Sequence, residues 1–360
     1  MSKKLSKLKK FWKNKKVFIT GHTGFKGSWM TMIFNLLGAK VYGYSLKPER
    51  VSLYNLVNID KIMTKSTIGD LRDYKKLKQA IHKISPDFLI HMAAQPLVRD
   101  SYDYPKYTYE VNTMGTLNIL NILNEIENIG NVLIITTDKV YKNINSKKYF
   151  KEVDELGGFD PYSNSKACAE LICKSFYDSF FSKKGISCVT ARAGNVIGGG
   201  DFSKNRIIPD FFRAFKKNKK LVLRYPNAIR PWQHVIEPLY GYILLLMSIS
   251  KQKKPVYDAW NFGPKKTNNL KVKKIISILN KNFQDPVYII NKFNKKNTYK
   301  ESDVLKLNSE KAKKILNWKP IYNIDETIKL ISEWHDIFLK DKKKLLNTSQ
   351  KQILEYINRF

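Results

Sequence analysis

Val17-Phe-Ile-Thr-Gly-His-Thr-Gly-Phe-Lys-Gly27 is the stretch on which the fold of this 360-residue chain turns. The apolar run 17–20 is followed at once by glycines at 21, 24 and 27, and then by an apolar-periodic segment, 28–37. That order predicts strand, glycine turn and helix. At such a junction the missing side chains let backbone N–H groups and a helix N-terminus approach a pyrophosphate. A tight turn serving only helix packing is the competing reading, and the strand before and helix after weigh against it.

Working outward, strand-like runs recur at 40–45, 88–93, 132–136 and 186–191, separated by helix-length segments at 73–84, 107–126 and 163–181. Alternating strand and helix predicts an α/β fold with a Rossmann-like, doubly wound parallel sheet. After about Gly194 the alternation gives way to loops with Gly198-Gly-Gly200 and scattered prolines, which predicts a smaller, mostly C-terminal substrate-binding region. The expected division is a dinucleotide-binding domain over 1–194 with 231–260 returning to it, a ligand region over 195–230 and 261–345, and a tail over 346–360. The basic runs at 3–16 and 340–344 are expected to be solvated or frayed.

Composition narrows the classes of function. The net charge of +34 invites a nucleic-acid reading, because a basic surface collects phosphates. Only nine of the 65 basic residues are Arg, however, and the rest are Lys. Readers of nucleic acid favour the planar Arg fork, so the excess reads as solvated surface Lys, with no nucleic-acid partner expected. Each Arg gains weight in return. Cys168, Cys173 and Cys188 fit neither a zinc nor a disulfide spacing, which predicts a reducing, cytoplasmic setting and no metal. The longest apolar stretch, 239–249, is too short to span a bilayer, so no membrane partner is expected.

Two further constellations carry chemistry. Tyr162-Ser-Asn-Ser-Lys166 opens a predicted helix, and its i, i+4 spacing puts phenol and ammonium on one face, where Lys166 is expected to lower the tyrosine pKa. A tyrosinate can take the proton of a sugar hydroxyl while hydride leaves for a nicotinamide. Thr137-Asp138-Lys139 ends the strand before it, and carboxyl ends of parallel strands face the ligand crevice. Taken singly, each is equally an exposed pair or a capping turn. Together they suit oxidation plus elimination. His22 and His234 have no metal spacing and read as structural.

These residues, with His91-Met-Ala-Ala94, resemble the extended short-chain dehydrogenase/reductase family that modifies nucleotide sugars, to whose folds the G-x-x-G-x-x-G spacing belongs. Gln95-Pro-Leu-Val-Arg-Asp-Ser-Tyr102, Asp160-Pro-Tyr162, Ala191-Arg-Ala-Gly-Asn195, Arg206-Ile-Ile-Pro-Asp210, Arg230-Pro-Trp-Gln-His-Val235 and Ala259-Trp-Asn-Phe-Gly-Pro264 resemble its CDP-glucose 4,6-dehydratase branch. The resemblance implies NAD as cofactor and CDP-glucose as substrate, in deoxysugar synthesis for surface polysaccharide such as O-antigen lipopolysaccharide. It implies catalysis by Tyr162, Thr137, Lys166 and the Asp138/Lys139 pair. It implies cofactor contact from Gly21, Thr23, Gly24, Phe25, Gly27, Ser45, Asp70, Leu71, Ala93, Ala94, Tyr162 and Lys166, and substrate contact from Gln95, Asn195, Arg206 and Arg230. It also implies a homodimer or higher homo-oligomer formed through the helices at 107–126 and 163–181.

Two departures stand out. Lys139 occupies the place of a Glu in the dTDP-glucose relatives, and a lysine must lose a proton before it can act as a base. Strand two ends at Ser45 without a carboxylate, and with Lys47 and Arg50 just beyond, charge alone does not separate NAD from NADP. A 5-inverting UDP-N-acetylglucosamine 4,6-dehydratase or a 4-epimerase remains an alternative enzyme. A basic nucleic-acid-binding protein on the same scaffold is the alternative from another class.

Overall fold

A computed structural model describes residues 2–126, 129–143, 148–283, 287, 289–291 and 304–360. Of the expected 261–345 region, residues 284–286, 288 and 292–303 lie outside this set. Seven strands form the main sheet: β1 (Lys16–Thr20), β2 (Lys40–Ser45), β3 (Lys65–Ile68), β4 (Phe88–His91), β5 (Asn131–Ile135), β6 (Ser187–Ala193) and, beyond three short strands, β10 (Tyr257–Phe262). Their order is β10-β6-β5-β4-β1-β2-β3, and every pair is parallel. The order reverses between β1 and β4, which places a crevice at the carboxyl end of β1, beside the glycine turn.

Side-chain alternation explains the two cores. Val17 and Ile19 enter the cluster with Trp29, Ile33, Leu239 and Ile243, whereas Phe18 enters the opposite one with Leu77, Ile81, Ile119 and Leu123. A sheet covered on both faces needs apolar residues at successive positions, and β6 is buried throughout. The ligand half carries β7 (Asn195–Ile197), β8 (Leu221–Leu223), β9 (Ile229–His234), β11 (Asn269–Lys271) and β12 (Ile289–Asn291), as a three-stranded β11-β9-β7 sheet and a β12-β8 pair.

The chain ends depart from expectation. Lys3–Trp12 is a helix whose Leu5, Leu8 and Trp12 are buried, with the Trp12 ring 4.8 Å from that of Phe34 and 4.7 Å from that of Phe88. Leu345–Arg359, expected as a tail, is a helix that buries Ile353, Tyr356 and Ile357 against the core. Each segment carries an apolar stripe at helical spacing, masked by lysines in the first and by Asn, Ser and Gln in the second, and burying that stripe holds each end down. Among the described residues, no helix is long and apolar enough to cross a membrane.

Candidate active site

The glycine turn is built by close approach. Gly21 has φ +78°, and a Cβ there would lie 2.7 Å from the Ala93 backbone nitrogen; a Cβ on Gly27 would lie 2.1 Å from the Gly21 carbonyl oxygen. Gly24 is the N-cap of the Phe25–Leu36 helix and supplies no side-chain cap, which leaves the first-turn N–H groups for an anion. Thr23 and Ser45 are buried and paired, Oγ1 to Oγ, at 2.7 Å, and Thr23 also donates to the Leu46 carbonyl at 3.0 Å. The Ala93 N–H donates to Thr20 Oγ1 at 3.2 Å, closing the β4 end over that of β1, with Ala94 next in line. A narrow, uncapped helix terminus without a nearby acid on β2 fits a dinucleotide pyrophosphate.

Asp70 and Gln95 already have hydrogen-bond partners within the fold. Asp70 accepts from the Arg72 backbone at 2.9 Å and from Arg72 Nη2 at 2.8 Å, and that pairing holds its carboxyl below the usual range. Leu71 is buried against Gly115. The Gln95 amide donates to Thr108 Oγ1 at 3.0 Å and to the Leu97 carbonyl at 3.1 Å, and its oxygen accepts the Leu97 N–H at 2.5 Å. Those bonds tie the Gln95 side chain to its own loop and to Thr108.

The expected catalytic residues gather where β5 ends. Thr137 caps the Asp138–Val140 turn, and its hydroxyl donates to Asp138 Oδ1 at 3.1 Å. Asp138 is 2% exposed and its Oδ2 has no partner among the described residues. Burial pushes its pKa up to about 6, against the pull of Lys139, Thr137 and Arg230. Asp160 caps the Pro161–Phe176 helix by accepting the Ser163 N–H at 2.9 Å, which sets Tyr162 in the first turn. Burial pushes the Tyr162 phenol up to about 12, while the Thr137 hydrogen bond and the Arg206 charge pull it down and Asp138 and Asp160 raise it. The expected direct effect of Lys166 on Tyr162 is not what the structure shows. Lys166 Nζ is buried and donates to the Ile135 carbonyl at 3.0 Å, and burial lowers its pKa to about 8.

Among the expected substrate residues, Asn195 opens β7 and is half-buried. Arg206 caps the Ile207–Lys216 helix and reaches Asp201 Oδ2 at 3.1 Å. Arg230 is buried on β9, donates to the Ile229 carbonyl at 3.1 Å and is felt at Asp138. Arg206 and Arg230 therefore flank the Tyr162 and Asp138 cluster. A cavity of about 370 Å³ is lined by Arg99, Arg213, Arg224, Lys217, Lys219 and Lys220 with Asn205 and Asp210.

Sequence reasoning missed Lys26. Its Nζ donates to Tyr242 Oη at 3.2 Å, and burial followed by the charges of Lys166 and Arg206 lowers its pKa to about 7, with Asp138 opposing. In so lysine-rich a chain, nothing marked this one. His22 and His234 are structural: His22 Nε2 pairs with Ser66 Oγ at 2.7 Å, and His234 Nδ1 accepts the Ile236 N–H at 3.3 Å. Among the described residues no cluster of acid, His and Cys side chains could hold a metal.

A sequence profile of the family described as GDP-mannose 4,6 dehydratase matches residues 18–331. A CDP-glucose 4,6-dehydratase of Salmonella typhimurium is 41% identical, over 97% of this chain and 98% of its own length. Among solved structures, an epimerase from Methanothermobacter thermautotrophicus superposes with a TM-score of 0.81 at 21% identity, covering 95% of this chain and 98% of that one. A dTDP-glucose 4,6-dehydratase from Bacillus anthracis, solved in complex with NAD, gives 0.75 at 20% identity over 92% and 99%. The two structural likenesses share the seven-stranded fold.

Proposed function

Because this chain belongs to the GDP-mannose 4,6 dehydratase family, we propose that it is an NAD-dependent hydro-lyase that converts CDP-glucose to CDP-4-keto-6-deoxyglucose. The observation that carries the reading is a buried carboxyl with an unpartnered oxygen, Asp138, held by Thr137 beside a buried tyrosine. An epimerase has no leaving group to protonate; an elimination does.

Tyr162 takes the proton of the C4 hydroxyl. Arg206 and the Thr137 hydroxyl favour the phenolate that this requires. NAD, held at the glycine turn, would supply the reversible hydride chemistry that the cycle needs, with no net oxidation. Once C4 is a ketone the C5 proton is acidic; Lys139 removes it and hands it back to C5 after the water has left and C6 has been reduced. Asp138, protonated in part near neutrality, gives its proton to the departing C6 oxygen, and one water leaves. The glycine turn, with Thr23, Phe25 and Ser45, holds the dinucleotide. Arg206, Arg230 and Asn195 hold the nucleotide diphosphate, for which the Arg fork is suited.

The test is incubation of the protein and NAD with CDP-glucose, UDP-N-acetylglucosamine and dTDP-glucose in parallel, followed by mass analysis. Loss of one water from CDP-glucose alone is expected. Turnover of another sugar nucleotide only would overturn the substrate, and interconversion without water loss would overturn the reaction.

The assembly proposed is a homodimer through the helical segment 105–125 and the Pro161–Phe176 helix. Met114, Leu171 and Phe180, on or just beyond these elements, are 48%, 60% and 43% exposed and would be covered by a second copy. Leu171→Glu should then sediment as a monomer. Three free cysteines support a reducing, cytoplasmic setting.

A further inference from the structure

One turn beyond Lys166 on the same helix lies Glu170, fully buried and without a part in the chemistry above. Its oxygens are nonetheless saturated. Oε1 accepts from Thr136 Oγ1 at 2.5 Å and from Arg192 Nε at 2.9 Å. Oε2 accepts from Thr190 Oγ1 at 2.5 Å and from Arg192 Nη2 at 3.0 Å. Thr136 immediately precedes Thr137 and Asp138, and Lys166 grips the residue before it through the Ile135 carbonyl. Two successive turns of the helix therefore hold two successive residues of the strand end.

Arg192 extends the link away from the site. Its Nη1 donates to Tyr141 Oη at 2.9 Å, and Tyr141 donates to Asn261 Oδ1 at 2.7 Å. A buried ion pair is a poor device for stability alone, since apolar residues of the same volume do as well or better. What it supplies is one geometry, because every donor and acceptor must be met at once.

We propose that Glu170 is a positioning residue, which locks the helix bearing Tyr162 and Lys166 in register with the Thr137–Asp138 turn. This rests on the dehydration reading above for its kinetic consequence. Thr136→Val cuts the strand from Glu170 while leaving the Arg192 pair intact; Thr136→Ser keeps the hydroxyl. With CDP-glucose, kcat of the Val variant should fall ~10- to 100-fold with KM within about twofold, since small misplacement of reacting groups costs rate rather than affinity. The Ser variant should stay within about threefold of wild type. Amide exchange over residues 135–141 and 161–168 should quicken at least about tenfold in the Val variant, with β1 and β2 unchanged.

An unaltered kcat, a change confined to KM, or unaltered exchange in the Val variant would overturn the lock. If that variant does not fold, Thr136→Ala takes its place. If wild-type protein dehydrates no nucleotide sugar, the dehydration reading fails while exchange still decides the lock.

Discussion

The corner that holds Tyr162 and the basic cavity of the second half use charge in opposite ways. Around the corner, the Arg192 and Glu170 side chains are 3% and 0% exposed and Asp138 is 2% exposed, so these charges sit where the dielectric is low and each hydrogen bond is fixed in advance. Around the cavity the cations are half-exposed or exposed. The difference follows from burial. Loss of water moves the pKa of a buried group, whereas exposed cations attract anions over a distance without giving up their hydration.

That contrast can be broken by substitution. Tyr162→Phe should lower kcat by ~10²- to 10⁴-fold, the usual worth of a general base, with nucleotide-sugar binding measured by calorimetry unchanged. Strong residual turnover would remove Tyr162 from the base role. Asp138→Asn should lower water loss by about 10²-fold. As a donor Asp138 works protonated, so in wild type the rate falls as pH rises through about 6, and that limb should vanish in the Asn variant. A limb that survives would belong to another group.

On the cavity side the effects should be smaller and salt-dependent. Arg224→Ala should raise KM about threefold at low ionic strength and scarcely at high salt, with kcat unchanged, because exposed charges are screened. A fall in kcat would join the two regions that the structure separates. The smallest effect concerns stability. Burial pushes the Glu237 carboxyl up to about 7, against hydrogen bonds from the Tyr322 and Ile321 N–H groups. A folded-state pKa above the unfolded one means stability is full below about pH 4.5 and is lost as pH rises through about 7. Glu237→Gln should therefore raise Tm by about 2 °C at pH 8.5 and not at pH 5, read by calorimetry.

The core of the fold was legible from the glycine turn and the strand–helix alternation. Strand β3, Lys65–Ile68, escaped because it lies at the sheet edge with no fully buried residue, so its sequence lacks an apolar run. The terminal helices escaped because five lysines outnumber the stripe of three that the first one buries, and because the last one spaces its apolar residues among Asn, Ser and Gln. The placement of Thr137-Asp138-Lys139 at a strand end and of Tyr162 and Lys166 one helical turn apart was readable from strand end and helical spacing. The hydrogen-bond partners of Asp70, Gln95 and Lys26 were not, because they depend on which neighbour claims each polar atom.

By itself, then, the sequence determined the local geometry: a turn that only glycine can make, a phenol and an ammonium one helical turn apart, a hydroxyl and a carboxyl at a strand end. Those are consequences of backbone period and side-chain size over a few residues. Tertiary structure alone decided that Lys166 faces a carbonyl, that Asp138 is dry enough to hold a proton near neutrality, and that Tyr141 meets Asn261 across 120 residues of chain. Desolvation and hydrogen-bond partnership are set by whatever packs through space, and that is written in no single stretch of the chain.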